Sequence, residues 1–232
     1  MMPRSNPVRQ AAKDMLALSR WLRMQIRLAR HPMSVSPDPV FDPAFTPRFH
    51  ERIGRARRYL EFGSGSSTLI ATAAGVPTTA VESDAKFAEA VRNALGEAPQ
   101  TRVLCPDIGM TENWGYPVFT SPTAVRLARW RTYVDDPFVS LASPESFPDM
   151  VLVDGRFRVA CALTSVAHAE RLGVPVDVYI DDYAPRPYYH HIEQWLGTPE
   201  MIGRVARFDM QPGKLAQPIS EADLTDACTD YR

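Results

Sequence analysis

The chain has 232 residues, of which 45% are hydrophobic and 23% charged, with a formal net charge of −1. That length suits one α/β domain with an appendage, the apolar share excludes wholesale disorder, and the charge balance gives no strong nucleic-acid signal. No apolar run reaches the ~18 residues of a bilayer span.

Cys105, Cys161 and Cys228 form no C-x-x-C pair or His/Cys cluster, which argues against zinc. Free thiols and the lack of a signal-peptide pattern predict a cytoplasmic protein.

Residues 1–31 carry Arg4, Arg9, Lys13, Arg20, Arg23, Arg27 and Arg30 against Asp14 alone. Met15, Leu16, Leu18, Leu22, Ile26 and Leu28 recur at roughly helical spacing, which predicts a basic amphipathic helix. Such a helix would pack on the domain or form a homodimer contact, or else meet an acidic membrane surface or nucleic acid. Residues 34–47 hold Pro37, Pro39, Pro43 and Pro47 and read as an extended linker. The expected organisation is therefore an N-terminal helix and linker over 1–50, followed by one domain over 51–232.

From residue 57 strands and helices alternate. Strands are expected at 59–62, 79–82, 102–105, 150–153 and 176–180, and helices at 67–74, 84–95, 123–134, 157–172 and 187–196. Residues 202–219 would supply a terminal antiparallel hairpin. Strands separated by helices need crossover connections, so the fold class is a Rossmann-like, doubly wound α/β domain with a mainly parallel sheet. Ligands in such sheets bind beyond the carboxyl ends of the strands.

The first strand runs into Glu61-Phe62-Gly63-Ser64-Gly65-Ser66-Ser67-Thr68. Its glycines permit a tight turn and close backbone approach, and its hydroxyls can cap the next helix. Glu82 ends the second strand, where a carboxylate can accept both hydroxyls of a ribose. Dinucleotide sites usually carry G-x-G-x-x-G, but here Thr68 stands at the third glycine. Glu61 would also sit awkwardly beside a pyrophosphate and suits a ligand carrying an ammonium group.

Glu61-x-Gly63-x-Gly65 followed by Glu82 resembles the first two motifs of class I S-adenosylmethionine-dependent methyltransferases, and the likeness runs in strand order from about residue 57 to 183. Ser67 departs from the fuller family pattern, which often has a third glycine. The resemblance implies that Glu61, Gly63, Ser64, Gly65, Ser67 and Thr68 form the donor loop. By the same resemblance Glu82 and Ser83 hold the ribose, and Asp107 with Ile108 meets the adenine. Asp154 would face the methionine part and the acceptor, as a cofactor contact and a catalytic base.

Other strand ends leave alternatives open. Arg156 and Arg158 would grip an anionic acceptor or neutralise nearby acids. Asp154, Asp181 and Asp182 could supply oxygen ligands to Mg²⁺, an arrangement similar to metal-assisted O-methyltransferases, or pair with arginines. His190 could act as a general base, or face solvent together with His191. Trp114 and Tyr116 would stack on a ligand or pack.

The functional expectation is methyl transfer from S-adenosylmethionine to a small or carbohydrate-like hydroxyl acceptor. The alternatives are a non-catalytic interaction module and a nicotinamide-dependent oxidoreductase.

Overall fold

The computed structural model describes residues 7–232, with side chains from Gln10 onward. Arg4, and the side chain of Arg9, lie outside the described residues.

In chain order the elements are α1 (Pro7–Arg30), α2 (Phe45–Ile53), β1 (Tyr59–Phe62), α3 (Ser66–Ala73), β2 (Thr78–Val81), α4 (Ala85–Leu95), β3 (Thr101–Leu104), β4 (Thr111–Glu112) and β5 (Tyr116–Pro117). They continue with α5 (Ala124–Ser140), β6 (Met150–Val153), α6 (Arg158–Leu172), β7 (Val176–Ile180), α7 (Glu193–Leu196), β8 (Glu200–Ile202), β9 (Val205–Met210) and α8 (Glu221–Ala227). Short 3₁₀ turns cover Asn113–Gly115 and Pro187–Ile192.

The main sheet has the order β3-β2-β1-β6-β7-β9-β8. Pairing is parallel from β3 through β7, and β9 runs antiparallel to both β7 and β8. The order reverses between β1 and β6, which opens the switch-point crevice at their carboxyl ends. Strand parity divides the core into two layers. Leu60, Phe62, Val151, Val153, Val178 and Ile180 pack with α5, α6 and α8. Tyr59, Met150, Leu152 and Tyr179 pack with α2 and α3. Both faces are covered, so the parallel strands are almost continuously apolar.

Four expectations need correction. The helix over 123–134 runs on through Pro137 to Ser140. The terminal hairpin sits earlier than 202–219, at β8 and β9. The 187–196 helix is a 3₁₀ turn followed by α7. The proline-rich stretch is not extended to its end, because α2 takes in Phe45, Thr46 and Pro47. Pro47 falls in its first turn, where the missing N–H has no helical partner to lose. Phe45, Phe49 and Ile53 of α2 are buried in the core.

The basic helix forms as α1. It touches the domain through Ala17 and Met24, both buried, and through Arg20 on Glu112 and Arg27 on Asn113. Met15, Leu16, Leu18, Leu22 and Ile26 are exposed. Among the described residues no helix is long and apolar enough to cross a membrane.

Candidate functional site

The loop between β1 and α3 contains two glycines with different physical reasons. Gly63 has φ +96°, and a Cβ there would come within 2.7–2.8 Å of the Gly155 backbone. The fold itself therefore requires glycine, because the β1 and β6 loops touch at that point. At Gly65 a Cβ would meet nothing within 4 Å. The chain does not demand glycine there, whereas a ligand approaching the backbone would.

Glu61 shares its face with Tyr59 by strand parity and so points toward α3. It is wholly buried and accepts hydrogen bonds from Tyr59 Oη (3.0 Å), Ser67 Oγ (2.5 Å) and Thr68 Oγ1. Thr68 Oγ1 in turn accepts from the Gly65 N–H at 2.9 Å. Burial pushes the Glu61 carboxyl up to about 7, against the opposing pull of those three hydroxyls. The side chains of Glu61, Ser67 and Thr68 thus form one buried hydrogen-bonded cluster that braces the loop after β1.

Glu82 stands immediately after β2 and is 6% exposed. One carboxylate oxygen accepts from the Ser64 N–H (3.2 Å) and Ser64 Oγ (3.0 Å). The other accepts from the N–H groups of Ser83 (2.7 Å) and Asp84 (2.9 Å). Desolvation raises its pKa, and these donors resist the rise. The β4–β5 flap covers this end: Ser83 Oγ donates to the Gly115 carbonyl at 3.2 Å. A Cβ on Gly115 (φ +69°) would lie 2.0 Å from Ser83 Oγ.

After β3, Asp107 is exposed and accepts from the Gly109 N–H at 2.8 Å, while Ile108 is buried in the core. Cys105 is a neighbour of the site that its sequence context does not reveal. It lies half-buried at the same strand end, where burial and the nearby Glu82 carboxylate raise its thiol pKa. A lone cysteine after a strand has no motif and so gives no signal.

The acids after β6 and β7 do come together. Oxygens of Asp154, Asp181 and Asp182 lie within 4.8 Å of one another. Three guanidiniums already serve them. Arg204, from the turn between β8 and β9, binds Asp181 through two 2.8 Å bonds and lies 3.2 Å from Asp182. Arg186 meets Asp182 at 2.7 Å, and Arg158 meets Asp154 at 2.9 Å and Asp182 at 3.4 Å. Three positive charges on three carboxylates leave no net negative charge to hold a divalent cation, so of the two alternatives read from the sequence the donor set fits pairing with arginines and does not fit Mg²⁺. Of the three, Asp154 has the most exposed side chain, at 36%. Desolvation pushes it up to about 6, opposed by Arg158 and reinforced by Asp181 and Asp182.

His190 stacks on Tyr183 at 4.6 Å, with Nε2 3.1 Å from the Tyr183 carbonyl oxygen. One ring nitrogen is therefore tied to the backbone. His191 is exposed and bonds the Tyr188 carbonyl. Trp114 is 86% exposed on the flap, and Tyr116 lies beneath Arg156 at 3.9 Å.

Taken together, the β1, β2 and β3 ends present a glycine loop and carboxylate acceptors suited to a nucleoside, and the β6 end presents a carboxylate of raised pKa. No protein-family model matches the chain, and no curated protein matches it. Among solved structures, a methyltransferase-like protein from Silicibacter pomeroyi is 35% identical, with a TM-score of 0.65, over 84% of this chain and 98% of that one. The cofactor-bound Rv0187 from MTB is 16% identical over 91% and 100% of the two chains, with a TM-score of 0.47. A TehB-like SAM-dependent methyltransferase from Corynebacterium glutamicum is 13% identical over 89% and 100%, with a TM-score of 0.41. With the first of these similarities added to the sheet order and the strand-end residues, the chain belongs to the class I S-adenosylmethionine-dependent methyltransferase superfamily.

Proposed function

We propose that this protein transfers a methyl group from S-adenosylmethionine to a hydroxyl-bearing acceptor. The observation that carries the reading is the pairing of an unobstructed Gly65 with Glu82 at the neighbouring strand end, in a chain 35% identical to a methyltransferase-like protein. When bound, the donor supplies an electrophilic methyl on a sulfonium. Glu82 would accept the ribose hydroxyls, exchanging its bonds from Ser64 for them. Asp107 would receive the adenine amine, and the Gly63–Gly65 backbone would lie against the methionine part. Asp154 would take the proton of the acceptor hydroxyl, since desolvation raises its pKa above the ordinary carboxylate value and so makes it a stronger base.

Calorimetric titration with S-adenosylhomocysteine tests the donor half. Binding is expected for the unaltered protein, and Glu82→Gln should weaken it by at least about tenfold, the scale of one lost charge-assisted pair. No binding at all would sink the proposal. Transfer of labelled methyl to a panel of hydroxyl and amine compounds tests the acceptor half, and labelling of amines alone would refute it. One observation favours a second reading, a non-catalytic module that retains the donor fold: Asp154 is already tied to Arg158. Binding of S-adenosylhomocysteine without transfer to any acceptor would select that reading.

A further inference from the structure

Two arginines flank the start of α6 and are buried to nearly the same degree, Arg156 at 4% and Arg158 at 2% exposure. Their partners differ completely. Arg158 donates from Nε to the Gly155 carbonyl (3.1 Å), from Nη1 to the Asp181 carbonyl, and from Nη2 to the Asp154 carbonyl (3.1 Å) and carboxylate (2.9 Å). Every nitrogen of that guanidinium is used. Arg156 has Nε and Nη1 wholly buried, and neither meets a partner among the described residues. Among the described residues its charge-related contact is the face of Tyr116, 3.9 Å from the ring centroid.

A ring under a guanidinium attracts the charge but accepts little from the N–H groups, which lie in the guanidinium plane. Nε and Nη1 belong to different edges of the fork. Each edge that can grip an oxyanion through two bonds therefore retains a free donor. A permanent charge removed from water in this way is costly unless an anion or acceptor arrives.

The local backbone separates the two arginines. Phe157 between them has φ +55°, a conformation that bulky residues rarely adopt. As the N-cap of the 15-residue α6 it makes no side-chain cap bond, so the positive end of the helix dipole lies beside Arg156 without a capping side chain. Tyr116 belongs to the flap whose Gly115 covers Ser83 and Glu82. Arg156 thus lies between the β6 end and the flap over the donor crevice.

We propose that Arg156 binds an oxyanion, such as a carboxylate, that enters the site with its ligand. On the donor reading above, this anion is either the carboxylate of the donor's methionine part or an acid group on the acceptor.

The test uses the full chain, Arg156→Met and Arg156→Lys, with three probes: inorganic phosphate, S-adenosylhomocysteine and 5′-methylthioadenosine, which lacks the amino-acid part. At constant ionic strength, phosphate is expected to raise the melting temperature of the unaltered protein, less that of the lysine variant, and not that of the methionine variant. If the anion is the donor's, Arg156→Met weakens S-adenosylhomocysteine by at least about tenfold and leaves methylthioadenosine within about twofold. If it is the acceptor's, both nucleosides bind unchanged and only the phosphate shift is lost. The proposal is overturned if phosphate stabilises none of the three proteins, or all three alike, while their S-adenosylhomocysteine affinities are the same. Should Arg156→Met fail to fold, the lysine variant carries the comparison, with a partial loss expected in the same arm. Failure of the donor reading would show separately, as no binding of either nucleoside to the unaltered protein, and the phosphate arm would then decide Arg156 alone.

Discussion

At the scale of single residues, the most informative side chain is Glu61, because its chemistry was legible and its hydrogen-bond partners were not. A carboxylate two positions before a glycine loop is visible in the sequence. That it would point under α3 depends on strand parity and on the hydroxyls of Ser67 and Thr68 arriving beneath it. The arrangement has a titration signature. The folded carboxyl ionises near 7, whereas an unfolded glutamate ionises at about 4.3. Between these values the native state holds a proton that the unfolded chain has released, so stability falls as pH rises through that window. Relative to Glu61→Gln, which cannot titrate, the native chain is expected to lose roughly 3 kcal/mol between about pH 5 and 7.5. Denaturant unfolding of both proteins at several pH values measures the gap. A gap that stays flat would show that Glu61 is ionised throughout.

At the scale of elements, the β8–β9 hairpin does more than extend the sheet. Its turn delivers Arg204 to Asp181, which is only 1% exposed. The turn is itself pinned by the N-terminal segment: the Arg204 N–H donates to Asp42 (3.1 Å) and Nη2 to the Val40 carbonyl (2.7 Å). Desolvated carboxylates that lose a partner are left with their burial cost uncompensated. Arg204→Ala is therefore expected to destabilise by about 3 kcal/mol, and adding Asp181→Asn should recover part of that loss. A double variant as unstable as the sum of the two single changes would remove the pair from this role. The hairpin was expected from sequence but set too late, since nothing local marks which stretch of the tail pairs with β7. The helix α2 was hidden for a related reason. Its prolines signal a linker, whereas Phe45 and Phe49 form a helix because the far face of the sheet needs cover at Tyr59 and Tyr179.

At the scale of the whole molecule, the site is a set of strand ends joined by charge. Because arginines from three separate segments balance the acids after β6 and β7, magnesium added to the protein and its removal by a chelator are expected to leave melting temperature and methyl transfer unchanged. Loss of activity on chelation would contradict that balance. S-adenosylhomocysteine at about 100 times its dissociation constant should stabilise by about 2.7 kcal/mol, or roughly 5–10 °C for a chain this long. A thermal melt with and without the ligand checks it. The sequence alone determined the alternation of strands and helices, the glycine loop and the acids that end the strands. These are local signals, carried by periodicity and by residues a few positions apart. Only the tertiary structure decided which charges meet: that Glu61 faces hydroxyls, that Arg158, Arg186 and Arg204 serve the acid trio, and that Nε and Nη1 of Arg156 are buried with no hydrogen-bond partner among the described residues. Some of these pairings are close in sequence, but the turn that carries Arg204 is held by Asp42, 162 positions away. Burial sets the worth of each charge only after the layers have packed.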